Sequence, residues 1–360
     1  MPSSTAKPLK ICIAEDRSSC EPGVRLLLQS LARAEPGCSV VLFCPFADEN
    51  LVKLAAGLTE ISADVRTVSP PGAYSWNVKP QALLELLGEG ADEVVWIDSD
   101  IIVSSRFIRR LSAHETDAIV LTEEALWGAA DDRNALRARL WGFRVGRQFP
   151  FTLNSAVLRV TRRHIPLLKR WRTLLDSPIY RDEQAKAWNS RSANMIGDQD
   201  VLTALLCSQE FSDIPVEIFR RGSGVIQYFG LYGFTTGERL RCLINGLPPF
   251  VHSQGVKAWI PPNKSGARSL RARVTGAYLD ASPYTVVAAS LWPIETSSWT
   301  KPRTRFGAAL RAMGLRNPAL TGLPVAIAVD IVRLGLRLAR GPRRKADQVL
   351  SDGADLPGPA

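Results

Sequence analysis

Two short groups of polar residues follow apolar, strand-like runs in this sequence. Asp98 and Asp100 come directly after the apolar residues 94–97, and His252 ends the run 250–252. Two carboxylates separated by one residue at the end of a buried strand can hold a divalent cation and leave positions open for phosphate oxygens. Imidazole favours Mn²⁺ over Ca²⁺ in a site of mixed oxygen and nitrogen ligands. These residue types indicate metal-assisted chemistry on a phosphorylated substrate.

Each group also has an ordinary structural interpretation. Asp98-Ser99-Asp100 is compatible with a solvated turn that caps the next helix. A single histidine near a turn glycine is compatible with a hydrogen-bonded surface side chain. A third group, Asp198-Gln199-Asp200, lies at the start of a predicted helix, where carboxylates interact favourably with the helix dipole. Capping and substrate binding are compatible at that position, so both interpretations stay open.

The elements that must position these groups alternate between strand and helix. Short apolar runs predict strands at 11–14, 40–44, 65–68, 94–97, 118–121, 154–160 and 250–252. Helices are predicted to begin at Pro22 and Pro80, because proline is tolerated in the first turn, and also over 164–176 and 198–206. Alternation of this kind is typical of an α/β protein with a mostly parallel, doubly wound sheet.

Four separated motifs occur in the order found in one enzyme family. They lie at residues 96–100, 153–158, 197–202 and 252–259. Over roughly residues 10–259 the chain resembles the retaining glycosyltransferases of family eight, the glycogenin and lipopolysaccharide-galactosyltransferase type. The resemblance implies the GT-A fold, with a Rossmann-like sheet flanked by helices. It also implies transfer of a hexose from a nucleotide-sugar, UDP-linked in the family, to a glycan or lipid-linked glycan acceptor with retention of anomeric configuration.

The resemblance implies a role for individual positions. Asp98, Asp100 and His252 would coordinate Mn²⁺, with Mg²⁺ as the alternative cation. Gln199 would face the anomeric centre as part of a catalytic group with Asp198 and Asp200, which would bind sugar hydroxyls. The donor would contact further residues, namely Ala14, Asp16, Lys79, Ser99, Asn154, Ser155, Gly255 and Lys257.

The sequence departs from the family pattern at two motifs. Only Val256 separates Gly255 from Lys257, where the family usually has two residues. The first-strand motif, usually a small residue followed by Asp-Asp-Asn-Tyr, is Ala14-Glu15-Asp16-Arg17-Ser18 here. The choice of UDP as donor nucleotide therefore comes from the family and not from these residues.

Two other functions use similar residues. A nucleotide-sugar-binding module that has lost catalysis would keep the same fold and motifs. A sugar nucleotidyltransferase also binds metal through carboxylates, but normally carries a phosphate loop rich in glycine and basic residues. Residues 14–19 lack that glycine series, which disfavours this alternative. For transfer itself, front-face displacement and a covalent route both stay open, because Gln199 is a poor nucleophile.

Composition excludes several other classes of protein. The chain has 360 residues, 46% of them hydrophobic and 22% charged, which excludes a disordered, collagen-like or coiled-coil chain. No apolar run reaches the roughly 18 residues of a membrane-spanning helix, and the first ten residues lack the apolar stretch of a signal peptide. The six cysteines form no CxxC pair. We therefore expect buried thiols and a cytoplasmic location.

The net charge of +10 is concentrated near the end of the chain. Residues 301–345 contain eleven basic residues and one acid, so the remainder is formally neutral. We predict a catalytic domain over 8–262, a linker or acceptor-side segment over 263–317, an amphipathic basic helix over 318–345 and a disordered tail over 346–360.

The basic helix suggests an anionic partner. Arginines along one helical face beside apolar residues predict peripheral binding of residues 320–345 to the inner face of the cell membrane, as in lipopolysaccharide or exopolysaccharide biosynthesis. Packing of this helix on the catalytic domain is the alternative. No nucleic-acid partner is expected, because no recognised RNA- or DNA-binding motif accompanies the charge.

Overall fold

The computed structural model describes residues 9–111, 117–124, 133–228, 233–255, 257–260, 276–277, 279–291, 298–314 and 317–340. The described residues form two units. The first unit draws on residues 1–99 and 106–219, and the second on residues 100–105 and 220–360.

The secondary structure alternates along most of the chain. The described strands are β1 (Lys10–Ala14), β2 (Ser39–Phe43), β3 (Ser62–Arg66), β4 (Glu93–Ile97), β5 (Ile101–Val103), β6 (Ile119–Glu123), β7 (Leu153–Thr161), β8 (Val216–Phe219), β9 (Val225–Gln227) and β10 (Phe250–His252). The described helices are α1 (Glu21–Ala34), α2 (Glu49–Gly57), α3 (Val78–Gly88), α4 (Ile108–Leu111), α5 (Arg133–Leu140), α6 (Ile165–Leu175), α7 (Pro178–Gln184), α8 (Asp198–Cys207), α9 (Thr236–Asn245), α10 (Pro283–Leu291), α11 (Arg305–Met313) and α12 (Leu323–Arg340).

The first unit is built on a seven-stranded sheet in the order β3-β2-β1-β4-β7-β6-β8. Strand β7 is antiparallel to both β4 and β6, whereas the other neighbouring pairs are parallel. Apolar faces of α3, α6 and α8 pack against the sheet in one core. The predicted α/β class, with a mostly parallel sheet flanked by helices, is confirmed.

The apolar runs explain why these strands form and where they end. Val94, Val95, Trp96 and Ile97 of β4 are all buried, as expected for a central strand covered on both faces. The next residue, Asp98, is half-buried and its N–H donates to the Ala156 carbonyl of β7. The sheet therefore positions Asp98 at the carboxyl end of β4, the edge of parallel sheets at which ligands bind.

Some elements differ from the sequence predictions. Strand β3 covers Ser62–Arg66 and not 65–68, because it is a half-exposed edge strand whose apolar signal is weak. The three- and four-residue strands β5, β8 and β9 and the helices α2, α4, α7, α9, α10 and α11 were not predicted. Residues 125–132, the predicted domain boundary between 262 and 263 and the predicted tail at 346–360 lie outside the described residues. The four predicted segments stay a prediction.

The second unit contains a three-stranded sheet in which β10 is antiparallel to β5 and parallel to β9. Helix α12 packs against α9 within this unit, and the Thr236 N–H donates to Asp330 Oδ2 at 2.9 Å. No helix among the described residues is both long and apolar enough to cross a membrane. All six cysteines of the chain are free and buried, as expected.

A buried imidazole makes the folding stability pH dependent. His164 Nδ1 accepts the Thr161 N–H at 2.9 Å, and Nε2 donates to the Asp117 carbonyl at 3.0 Å. Burial lowers the pKa of His164 below its usual value of about 6.5. The His164 side chain therefore binds a proton more readily in the unfolded chain than in the folded chain. The free energy of unfolding consequently decreases as the pH falls below about 6.5.

We expect the free energy of unfolding in urea to fall more between pH 7 and pH 5 for the wild type than for His164→Asn. Asparagine can still accept the Thr161 N–H but does not titrate in this range. The comparison removes the contribution of acidic groups, which both proteins share. Equal pH dependence in the two proteins would show that His164 is not the responsible group.

Candidate active site

Lys79 lies among oxygen atoms at the carboxyl end of β4. Its Nζ is 3.1 Å from Asp98 Oδ1, 3.2 Å from Asp198 Oδ2 and 2.9 Å from Ser155 Oγ. The Ser155 hydroxyl donates to Asp198 Oδ2 at 3.0 Å. These four residues come from four separate parts of the sequence, and the fold of the first unit brings them together.

Two carboxylates, those of Asp98 and Asp198, lie close to the single positive charge of Lys79. Burial lowers the pKa of Lys79, but the carboxylates of Asp198 and Asp98 outweigh burial and raise it above its ordinary value. The lysine is therefore charged and faces two carboxylates. The Trp96 indole N–H also donates to Asp98 Oδ1 at 2.6 Å, so Asp98 is oriented from two sides.

Asn154 lies on β7 where the register with β6 is irregular. Its Oδ1 accepts the Ala156 N–H at 2.8 Å, and its Nδ2 donates to Glu124 Oε2 at 2.6 Å. The Asn154 side chain is buried and is held by protein partners at both ends of its amide. Asn154 therefore has one fixed orientation in the site.

The carboxylate of Asp200 fixes the start of α8. Its Oδ1 accepts the Arg137 Nε–H at 2.8 Å, and its Oδ2 accepts the Gly197 N–H at 3.0 Å. Burial raises the pKa of Asp200, although the Arg137 charge opposes this effect. Asp198 and Gln199 on the same turn are only partly buried. Binding of sugar hydroxyls by Asp200 itself stays a prediction.

Asp100 is buried beside β10 in the second unit. Its Oδ1 is 3.3 Å from His252 Nε2, and Lys257 Nζ contacts its Oδ2. Burial raises the pKa of Asp100, but the Lys257 charge and the neighbouring His252 outweigh burial and hold it well below the usual range. Asp100 is therefore ionised at neutral pH.

The side chain of His252 is oriented by a neighbour on β9. Its Nδ1 donates to Gln227 Oε1, which leaves the lone pair of a neutral imidazole on Nε2. Nε2 lies 3.3 Å from Asp100 Oδ1, and both atoms are of types that would serve as ligands of a divalent cation. Asp100 and His252 of the second unit, with Asp98 two residues before Asp100 in the sequence, supply the side-chain types of a metal site. Two carboxylates and an imidazole form a donor set that fits a divalent metal.

The remaining predicted donor contacts are more dispersed. Ser99 is buried, and its hydroxyl donates to Glu15 Oε2 at 2.5 Å. Ala14 ends β1 and is half-buried, while Asp16 is exposed. Gly255 has a φ of +82°, a conformation that favours glycine.

Sequence reasoning missed several buried polar residues that hold the predicted ones in place, namely Glu15, Glu124, Arg137 and Gln227. One signal could have found Glu124, because it is the first residue after β6 and lies close behind the apolar run 118–121, just as Asp98 follows β4. Glu15 carries the same signal, because it directly follows β1. Arg137 and Gln227 show no such pattern, and the site residues that they contact, Asp200 and His252, are distant in the sequence.

No family model matches the sequence, and no curated protein matches it. Among similar solved structures, the WbbM bifunctional glycosyltransferase is 15% identical at a TM-score of 0.47, covering 72% of this chain and 48% of that chain. The galactosyltransferase LgtC, in complex with donor and acceptor sugar analogs, is 17% identical at a TM-score of 0.42, covering 79% of this chain and 98% of that chain. The glycosyltransferase GlyE of Streptococcus pneumoniae TIGR4 is 14% identical at 0.42, covering 83% of this chain and 66% of that chain.

The chain thus spans about half the length of the WbbM structure that it matches. At these identities and TM-scores, what the protein does has to be inferred from its own site residues.

Proposed function

We propose that the protein is a GT-A glycosyltransferase that moves a hexose from a UDP-sugar to a glycan or lipid-linked glycan acceptor, with retention of anomeric configuration and dependence on Mn²⁺ or Mg²⁺. The observation that carries the proposal is the convergence of Lys79, Asp98 and Asp198 around the Ser155 hydroxyl. A cation between carboxylates and a hydroxyl suits a ligand that carries both phosphates and sugar hydroxyls. The family resemblance of the four motifs supports the same reaction.

The phosphate end of the donor is assigned to the charged residues of the site. Asp98, Asp100 and His252 would hold the divalent cation. When bound, that cation neutralises charge on the leaving diphosphate. Lys257, which contacts Asp100, supplies a further positive charge for the same group. The backbone at Gly255 carries no side chain that would keep phosphate oxygens away.

The sugar end of the donor is assigned to Asn154, Ser155, Asp198 and Gln199. Carboxylates and amides of this kind bind hydroxyls, and precise placement of the sugar is a large part of the catalysis expected here. Asp200 contributes by fixing the turn that carries Asp198 and Gln199. Ala14, Asp16 and Ser99 stay proposed contacts to the nucleotide.

The proposal is tested by release of nucleoside diphosphate from a panel of nucleotide-sugars in the presence of Mn²⁺. We expect turnover of at least one UDP-hexose. Binding of UDP without turnover of any donor would support the inactive binding module instead. Release of pyrophosphate from a nucleoside triphosphate and a sugar phosphate would support the nucleotidyltransferase.

We also propose that α12 lies on an anionic membrane surface, where a lipid-linked acceptor would be found. The apolar side chains of Ile331, Leu334 and Leu338 are 65%, 59% and 74% exposed, although the helix is fixed to α9. The neighbouring Ile244 of α9 is also exposed. Exposed apolar side chains beside a strongly basic segment are typical of helices that lie in the membrane interface.

Flotation with liposomes tests this proposal. We expect the full chain to float with vesicles that contain anionic phospholipid, and less with neutral vesicles. The double variant Ile331→Glu/Leu338→Glu is expected to lose most of this binding, as is a chain that ends at Asn317. Equal flotation of all three proteins, or of none, would show that α12 is not the membrane contact.

A further inference from the structure

Glu124 is a buried carboxylate directly after β6, in the first unit. Its Oε2 accepts two side-chain N–H groups, from Asn154 Nδ2 at 2.6 Å and from Gln199 Nε2 at 2.8 Å. The backbone N–H of Glu124 donates to the Thr152 carbonyl at 2.9 Å, so the residue is also held through its main chain. One carboxylate oxygen thus joins two amides that belong to different sequence motifs.

The hydrogen bonds determine which way each amide faces. Asn154 Oδ1 accepts the Ala156 N–H, so its Nδ2 must face Glu124. Because an amide nitrogen only donates, the facing oxygen of Glu124 must accept. That same oxygen then selects the NH₂ end of the Gln199 amide.

As a consequence, the carbonyl oxygen of the Gln199 amide faces away from Glu124. Gln199 is partly exposed, and none of the residues that the structure describes donates a hydrogen bond to its Oε1. An oxygen acceptor at this position can bind a hydroxyl or lie beside positive charge on a sugar ring. An NH₂ group in its place would repel that charge.

We infer that Glu124 is a positioning residue, which orients the Gln199 amide so that its oxygen faces the substrate. The inference rests on the proposed glycosyl transfer, because it names the group that Gln199 offers to the donor sugar. In this role Glu124 accepts hydrogen bonds and does not act as a nucleophile.

Two substitutions of similar size distinguish the role of Glu124 in orienting the amides from an effect of its negative charge. Glu124→Gln can keep an oxygen toward both amides without a negative charge, whereas Glu124→Met keeps the shape without any acceptor. We expect Glu124→Met to lower kcat about thirtyfold with donor KM within about twofold, as for a misplaced catalytic group. Glu124→Gln should retain most of the wild-type kcat. Loss of activity in Glu124→Gln as large as in Glu124→Met would overturn the inference.

A double-mutant cycle tests whether Glu124 acts through Gln199. In the Gln199→Ala background, Glu124→Met should cost almost nothing further, because the Gln199 amide is gone and the Asn154 amide stays oriented by the Ala156 N–H. Additive losses would overturn the inference. The adjacent, half-buried Glu123 offers the matched control Glu123→Met, for which we expect no change in kcat.

A measurement that needs no turnover separates this inference from the proposed function. In ¹⁵N-labelled protein, the side-chain amide signal of Gln199 is identified by its absence in Gln199→Ala. We expect that signal to shift in Glu124→Met and to stay near its wild-type position in Glu124→Gln and Glu123→Met. An unmoved signal in Glu124→Met would contradict the inference even if the enzyme is active. A moved signal in a protein that turns over no donor would contradict only the proposed reaction.

Discussion

The variant Asp100→Asn is expected to turn over nucleotide-sugar about a thousandfold more slowly than the wild type in Mn²⁺. Asp100 is buried, ionised and within 3.3 Å of His252 Nε2, so it is the proposed metal ligand most dependent on its charge. Asparagine keeps the size of the side chain but removes the negative charge. A thousandfold loss corresponds to about 4 kcal/mol of transition-state stabilisation, within the range for metal-ion catalysis.

The matched control is Asp92→Asn in the loop before β4. Asp92 is exposed, and its ion-pair partner among the described residues is the exposed Arg162, at 3.2 Å. Exposed ion pairs of this kind contribute little to stability, so Asp92→Asn should leave turnover unchanged. Thermal unfolding would establish that both variants fold. Wild-type turnover in Asp100→Asn would contradict the metal assignment.

The variant Gln199→Ala is expected to lower kcat about a hundredfold while the affinity for UDP stays within about twofold. Gln199 lies at the start of α8, on the same turn as Asp198, and its amide is tied to Glu124 and not to any of the charged residues assigned to phosphate. Its loss should therefore affect the step in which the sugar leaves, and not nucleotide binding. Steady-state kinetics and calorimetric titration with UDP measure the two effects separately.

Gln209→Ala provides the comparison for this variant. Gln209 follows the end of α8, and its side chain is exposed. We expect neither kcat nor UDP affinity to change. A Gln199→Ala protein that loses UDP binding but keeps kcat would place this motif at the nucleotide and not at the sugar.

Much of the sheet could be predicted because buried strands leave a local signal. Residues 94–97 form an unbroken apolar run, and in the structure all four are buried in β4. The same run located Asp98 and Asp100, because polar residues directly after a central strand stand out against it. The edge strand β3 is half-exposed, and its position was correspondingly less accurate.

The supporting residues could not be predicted in this way. Arg137 and Asp200 form a buried ion pair although 63 residues separate them, and nothing local to either residue indicates the other. The pairing of Gln227 with His252 likewise depends on β9 and β10 being neighbours, which only the fold establishes. Motifs identify residues that contact ligands, whereas residues that orient them are found through tertiary contacts.

The central claim is that Asp98, Asp100 and His252 hold a metal that is required for nucleotide-sugar turnover. Its most direct test is UDP release from the preferred UDP-hexose by metal-stripped wild-type protein while Mn²⁺ is titrated back. We predict no release above background in chelator, full recovery with saturating Mn²⁺, and no recovery at the same Mn²⁺ concentrations in Asp100→Asn. Equal rates of UDP release in chelator and in Mn²⁺ would contradict the account.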